Sequence, residues 1–463
     1  MFSKFASRRT VALVHNNAHR VRTSASVSNP SSFAGAAASS ANATTGVPMP
    51  LLWKTLDNPY ASTGKWILGT AGMVVGMIHV GGITRLTQSG LSMTTWSATG
   101  SLPPMTHDEW LAEFERYKQF PEWQQRQSMT LKEFQFIYAW EYGHRMLGRA
   151  VGLVFCAPWL YFTMRGKIPK GFQGRMVGLL AMGGTQGLVG WWMVKSGLGD
   201  DRRDEKTEIR VKPVRLATHL GMAMATYGAL LWTGLDILAL PYQKEKLAQL
   251  QQSLSKQTLQ LSKRLRVASL GVAGLTFATV LSGALVAGQD AGRAYNMWPK
   301  MTDEYYIPPK EVLWELQPWT RNLWETTATV QLNHRLLGTA TAVTALSVAG
   351  IGLLGLPQTV AAAGAVAMTP QVRQGLMALG LAATGQFALG VTTLLHYVPI
   401  SLAAAHQLGS VVVFTSGIYT AHALRYATAR TVTSRTIQST TTSSAAAAAR
   451  SMSTATKAAV KKA

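Results

Sequence analysis

Eight stretches of about 20 mostly apolar residues run through this chain, each long enough to cross the hydrocarbon core of a bilayer. They fall near 66–86, 134–164, 176–194, 216–240, 267–287, 328–354, 376–395 and 400–424. In lipid every backbone amide needs a partner within its own segment, so such stretches are helices. The expected fold class is an all-α polytopic membrane protein with eight transmembrane helices. Composition agrees: 47% of the 463 residues are apolar and only 14% are charged, against about 25% charged in a soluble protein. The chain is too apolar to be intrinsically disordered. Its single cysteine, Cys156, excludes a disulfide scaffold, an iron–sulfur site and a cysteine zinc site.

The net charge of +23 is unevenly spread, with no acid before Asp57 and none after Glu325. It forms no basic stripe, so nucleic-acid binding is excluded. Residues 1–50 carry Lys4, Arg8, Arg9, Arg20 and Arg22 among serines and alanines, the composition of a mitochondrial transit peptide. Lys and Arg dominate the segments after the second, fourth and eighth spans, whereas the other loops hold nearly all the acids. That bias puts both termini on the inner side, the matrix in a mitochondrion. Trp96, Trp110, Tyr295 and Trp298 in the outer loops suit a membrane interface. The expected organisation is a transit peptide at 1–50, a four-helix unit at 60–240, a basic matrix linker at 241–265, a second four-helix unit at 266–425 and a disordered tail at 426–463, rich in Ser, Thr and Ala.

The second unit echoes the first. His144-Arg145-Met146-Leu147-Gly148 matches His334-Arg335-Leu336-Leu337-Gly338, and Gln186 with Gly190 matches Gln386 with Gly390. His219 matches His406, each after a short run of small residues. Three features in one order, nearly equally spaced, imply two bundles of the same orientation, related by a pseudo-two-fold axis along the membrane normal.

Of ten histidines, His15, His19, His107, His396 and His422 lie in the leader, in loops or at span ends and suggest no chemistry. His79 has no counterpart in the second unit and reads as a packing residue or one that supports a ligand from behind. His144, His219, His334 and His406 all enter even-numbered spans from the outer side. Ionisable residues within spans face the bundle interior. Two histidines at one depth on different helices can grip one iron from opposite faces, as in a haem. Zinc would need three or four ligands, and two per unit fall short. The metal ligands expected are therefore His144 with His219 and His334 with His406.

Glu141 stands one turn before His144, on the same helix face, and its counterpart is Gln331. Only the first unit thus sets a carboxylate beside its histidines, where it could act as acid, base or electrostatic stabiliser, or instead bond to a neighbouring loop. The asymmetry suggests one unit for chemistry and one for electrons. Arg85, Arg145, Arg149, Arg293 and Arg335 lie near span ends or next to a candidate ligand. They suit haem propionates or, equally, snorkelling to the interface.

With these residues the chain resembles the haem A synthases, enzymes of mitochondria and bacteria that make haem A for cytochrome oxidase. The likeness rests on the run from Gly81-Gly82-Ile83-Thr84-Arg85 to Gly90-Leu91-Ser92, on Glu141-Tyr142-Gly143-His144-Arg145 with Arg149, on Gln331-Leu332-Asn333-His334-Arg335, and on His219 and His406. It covers about residues 66–424. The resemblance implies that His334 and His406 bind haem b as cofactor. It implies that His144 and His219 receive haem O as substrate, with Glu141 beside the reacting group as a catalytic residue. The reaction implied is oxidation of the haem O C8 methyl, through an alcohol, to a formyl group. Other implied partners are an electron donor, with a ferredoxin as candidate, haem O synthase and inner-membrane lipid; a homo-oligomer is allowed. Some bacterial members carry a cysteine pair in the first outer loop; residues 89–132 here contain no cysteine.

Two other classes fit parts of the pattern. A bis-histidine cytochrome that only carries electrons accounts for the four histidines but leaves Glu141 without a purpose. A transporter built on the repeat would want matched Pro-broken spans, and the sequence has no such pair.

Overall fold

The computed structural model describes residues 58–97, 99–199, 209–240, 245–357 and 367–428. The expected transit peptide, most of the tail and the start of the linker lie outside the described residues. Twelve α-helices are described: α1 (Ala61–Leu86), α2 (His107–Tyr117), α3 (Leu131–Met164), α4 (Gln173–Lys195), α5 (Pro213–Ala239), α6 (Glu245–Ser253), α7 (Lys256–Gly288), α8 (Ala291–Ala294), α9 (Lys310–Leu313), α10 (Thr327–Gly355), α11 (Pro370–Leu395) and α12 (Ile400–Ala423). No strand occurs among the described residues. Eight of the helices are long and apolar enough to cross a membrane, one for each apolar run in the sequence.

Local chemistry sets the helix starts. Pro213 opens α5 and Pro370 opens α11, where the missing amide hydrogen would have no helical partner anyway. Most of the spans start before their apolar stretches. Thr130 and Glu133 form a reciprocal capping box that starts α3 at Leu131. Ser255 caps α7 by accepting from the Thr258 amide. Much of the basic linker is therefore helical, in α6 and the first turns of α7.

Helices α1, α3, α4 and α5 form one ring, with α1 closing on α5; α7, α10, α11 and α12 form a second. The rings meet where α5 packs on α7 and α1 on α12. One apolar core spans that seam, joining Ile67, Val74 and Ile78 to Met224 and Leu230, and on to Val280, Val411 and Phe414. A second fills the α7, α10, α11 and α12 ring around Val272, Val348, Leu376 and Leu379. Cys156 packs at the edge of the first core, as its sequence setting suggests.

Polar ties pin the two rings together. At the end carrying the histidines, Arg85 donates to the Ala287 carbonyl at 2.7 Å, and Arg210 meets Asp290 at 2.7 Å. Mid-seam, the Tyr227 and Thr415 hydroxyls lie 2.6 Å apart. At the opposite end, Asp236 on α5 accepts from Arg175 on α4 at 2.6 Å and lies 3.1 Å from His422 Nε2 on α12. His422, which suggested no chemistry in the sequence, is thus a structural link between the rings.

Hydrogen bonds to charged groups contribute about 1.5–3 kcal/mol. Asp236→Ala leaves both Arg175 and His422 without this acceptor. The variant is expected to melt earlier in detergent by a shift of that order. An unchanged melting temperature would show that the tie is not stabilising.

Candidate active site

The four histidines meet in two pairs inside the two rings. His144 on α3 faces His219 on α5, with ring centres 6.5 Å apart and planes at 71°. His334 on α10 faces His406 on α12, at 6.4 Å and 88°. Two nitrogen–metal bonds of about 2.1 Å, with the remaining radius of each imidazole, span about 6.3 Å. Either pair can therefore grip one metal ion between its rings. Among the described residues no cluster of three or more His, Cys, Asp or Glu could hold a metal, in keeping with a prosthetic group that supplies the other ligands.

Each ring lies against a glycine of the next helix. A Cβ on Gly81 (α1) would stand 2.9 Å from His144 Cε1, and one on Gly190 (α4) 2.9 Å from His219 Cε1. On Gly283 (α7) it would stand 3.0 Å from His334 Cε1, and on Gly390 (α11) 2.7 Å from His406 Cε1. The bundles thus alternate glycine and histidine helices, and no larger side chain fits without moving a ring. The sequence repeat singles out Gly190 and Gly390 but gives no reason for them. Gly81 and Gly283 go unnoticed as a pair, although both lie in first spans of their units.

The second nitrogens test the fit of a haem iron. His334 Nδ1 lies 2.8 Å from Ser282 Oγ, and that hydroxyl donates to the Thr279 carbonyl at 2.8 Å. The hydroxyl proton being engaged, Ser282 accepts from Nδ1–H, which leaves Nε2 with a free lone pair for metal. His144 Nδ1 and His406 Nδ1 are buried with no hydrogen-bond partner among the described residues. Gln186 and Gln386 donate to the backbone carbonyls of His219 and His406 at 3.1 and 2.8 Å, and Gln186 Nε2 also lies 3.2 Å from His219 Nδ1. Buried imidazoles with nitrogens left over are what a pair of axial ligands presents.

Glu141 is 3% exposed and fully engaged. One carboxylate oxygen accepts from Arg145 at 2.6 Å; the other accepts from Ser92 Oγ at 2.7 Å and from the Met93 amide at 2.8 Å. Of the two roles open to Glu141 in the sequence, the bond to a neighbouring loop is present. The carboxylate ties the first outer loop to the helix that carries His144. Arg145 extends the tie to the Thr95 and Met93 carbonyls at 2.7 and 2.9 Å. In the second ring Arg335 repeats it, reaching the Tyr295, Met297 and Lys300 carbonyls at 2.9, 2.8 and 3.0 Å. Arg149 donates to the Ser97 carbonyl at 2.6 Å. Arg293 is exposed on α8, and Arg85 joins the seam between the rings. Four of the five arginines considered for propionates therefore bind loop or helix carbonyls. His79, half-buried on α1, joins neither histidine pair.

The interfacial aromatics divide. Trp96 is exposed, whereas Trp110 packs on Phe134 and Tyr138, and Trp298 packs on Phe387. Beneath the first loop, Glu122 accepts from the Tyr117 hydroxyl at 3.1 Å and pairs with Arg126 at 3.3 Å. Burial outweighs the nearby guanidinium and raises its carboxyl from 4.5 to about 7.

A family model described as cytochrome oxidase assembly protein matches residues 64–418. The chain is 42% identical over 364 residues to "Heme A synthase COX15" of Arabidopsis thaliana, covering 78% of this chain and 74% of that protein. It is equally similar to "Heme A synthase COX15" of Homo sapiens, with 78% and 82% covered. It is 36% identical to the "Heme A synthase-mitochondrial ferredoxin fusion protein" of Schizosaccharomyces pombe, over 83% of this chain and 63% of that protein.

Exchanging a helical glycine for alanine ordinarily stabilises a helix by about 0.5–1 kcal/mol. At Gly390 the new methyl would collide with His406. Gly390→Ala is expected to lose at least half of any haem bound by the second ring and to shift its electron paramagnetic resonance signature. Gly385→Ala, whose Cβ meets nothing within 4 Å, should do neither. Equal spectra for the two variants would remove the steric argument.

Glu122 gives a pH dependence. Its folded carboxyl is raised, so its contribution to stability is full below about pH 4.5 and is lost as pH rises through about 7. Wild-type protein should lose melting temperature between about pH 4.5 and about pH 7 relative to Glu122→Gln. Parallel pH profiles would refute the assignment.

Proposed function

The chain belongs to the cytochrome oxidase assembly protein family that includes the haem A synthases, and from that premise we propose how its two histidine pairs divide the work. It is a multi-pass membrane protein that functions as a haem A synthase in cytochrome oxidase assembly. In the reading offered here, His144 and His219 hold haem O as substrate, and His334 and His406 hold haem b as resident cofactor. The observation that carries the division is that both pairs have the spacing of an iron clamp while only the first has a carboxylate, Glu141, one helical turn away.

The reaction proposed is oxidation of the C8 methyl of haem O, through the alcohol, to a formyl group. By the dioxygen route each of two successive hydroxylations takes one O2, two donor electrons and two protons and releases one water, and the resulting diol loses water to give the formyl group. By the water route methyl to formyl instead passes four electrons to an external one-electron acceptor and releases four protons. Haem b, when bound, supplies one-electron chemistry. The remaining work falls to side chains of this chain. Ser282 holds His334 in the tautomer whose Nε2 can ligate. Glu141 supplies fixed negative charge and a proton acceptor beside the substrate pair. Arg145, Ser92 and Met93 hold that carboxylate in place. Both axial positions of the substrate iron would be filled, so dioxygen could bind only if His144 or His219 were displaced; otherwise oxidation proceeds by electron removal and water supplies the oxygen.

The placement proposed is the mitochondrial inner membrane with both termini in the matrix, supported by the Lys and Arg bias of the loops. A ferredoxin is the proposed electron donor for the dioxygen route, supported by the fission yeast relative in which synthase and ferredoxin are one polypeptide.

Glu141→Ala separates the two sites. Loss of one positioned acid–base group costs roughly 10²–10⁴ in rate. Cells carrying the variant are expected to accumulate haem O, while the purified protein keeps its haem b spectrum. Normal haem A content would eliminate Glu141 as a catalytic residue. Loss of haem b together with haem A would mean that Glu141 acts on folding instead.

A further inference from the structure

The two rings share a plan but differ at one seam. In the second ring α10 and α11 pack along their lengths, with Gly352 receiving Leu376 and Gly380 facing Ala349. In the first ring the corresponding helices, α3 and α4, barely touch. Only 6% of the apolar stretch of each is buried, against 28% for α10 and 22% for α11. Hydrogen bonds tie α3 to α4 near their connecting turn, where Gln173 meets Trp159 at 3.1 Å and Thr163 at 3.2 Å. Nearer the histidines a Cβ on Gly143 or Gly152 of α3, or on Gly183, Gly184 or Gly187 of α4, would meet nothing within 4 Å.

The repeat shows what is missing. Aligning Gln186 with Gln386 sets Gly183 against Ala383, which is buried, and Gly187 against Phe387, which packs on Trp298 at 5.8 Å. At both positions the second ring carries a side chain where the first has a glycine. The open seam leads to the histidine pair, because α3 carries His144 and α4 carries Gly190 and Gln186, both against His219. His144 and His219 stand on non-adjacent helices of the ring, so a flat molecule held between them turns one edge toward α4 and this seam.

We propose that the α3–α4 seam is the portal through which haem O enters from the bilayer, and the groove in which its isoprenoid tail lies. The sealed α10–α11 seam keeps haem b resident. The inference rests on His144 and His219 being the substrate ligands. An apolar tail inserted between lipid-facing helices stays in hydrocarbon throughout, so substrate transfer exposes no apolar surface to water.

The test follows haem O binding rather than turnover. Purified protein carrying haem b is mixed with vesicles containing haem O, and a bis-imidazole Soret band at the first site is followed in time. Gly187→Phe and Gly184→Leu, which add bulk to the seam, are expected to slow binding at least ten-fold with the haem b spectrum intact. Gly271→Leu, on an equally open stretch of α7, should bind at the wild-type rate. A second measurement does not depend on bulky substitutions. In a Cys156→Ser background, Gly184→Cys should react with a lipid-soluble maleimide and be protected several-fold by haem O. Wild-type binding rates in both bulky variants, or labelling that haem O leaves unchanged, overturn the portal while leaving the ligand assignment standing. Absence of the bis-imidazole band in wild-type protein, or its persistence in both His144→Ala and His219→Ala, overturns the ligand assignment and the portal with it.

Discussion

Contact between an imidazole edge and a bare glycine Cα, made four times, is the constraint on which the arrangement depends. A histidine ring that must reach the middle of a four-helix ring needs room on the helix beside it. Gly81, Gly190, Gly283 and Gly390 provide that room at Cβ distances no side chain could share with the ring. The close approach also fixes ring direction. Each Cε1 points at its glycine, which limits where the two nitrogens of the same ring can lie. Alternating glycine and histidine helices is therefore an economical way to place two opposed ligands, and duplicating such a unit yields a second site without new design. Helix packing in lipid favours small residues at contacts for the same reason of close approach.

Within that shared frame the two sites differ where their chemistry would require it. Ser282 holds the Nδ1 proton of His334, whereas Val80 precedes Gly81 where Ser282 precedes Gly283. His144 has no such partner among the described residues. The difference is confined to one ligand of each pair, since His406 Nδ1 also lacks a partner among the described residues and His219 Nδ1 lies 3.2 Å from Gln186 Nε2. The exchange of Glu141 for Gln331 follows the same division. Glu141 pairs with Arg145 on its own helix and is oriented by Ser92 and Met93 of the loop, while Gln331 makes only a 3.4 Å bond to the Tyr295 carbonyl.

The eight spans and the four central histidines were legible because both are written in one dimension. Apolar length reports a span, and a repeated His-Arg pair reports a shared position. What lay beyond the sequence depends on which helix stands beside which. Gly81 is one of many glycines in α1 until His144 is known to lie against it. Glu141 and His144 were readable as neighbours from their spacing, but Ser92 and Met93, the groups that hold the carboxylate, come from a loop whose path no periodicity records. The length of α3 was also underestimated, because a capping box of Thr130 and Glu133 carries the helix beyond its apolar run.

The arginines show most directly why charge near a proposed haem is an ambiguous sign. Arg145 and Arg335 follow their histidines immediately, so each guanidinium lies a residue away from a ligand, and recognition of a haem carboxylate is the obvious reading. In the structure each instead gathers several carbonyls from the loop that covers its own ring. A guanidinium has donors enough to satisfy such a loop from a single position, and a loop whose carbonyls are so held cannot shift without disturbing the residue next to the ligand. The covering loop, the arginine and the histidine are consequently one mechanical unit in each half. In the first half Glu141 bonds to that arginine and to that loop, so the carboxylate proposed for chemistry is positioned by the same contacts that hold the loop on α3. Catalytic charge and loop closure are thereby coupled in the half read as substrate-binding, and the half read as the resident site keeps the clamp without the charge.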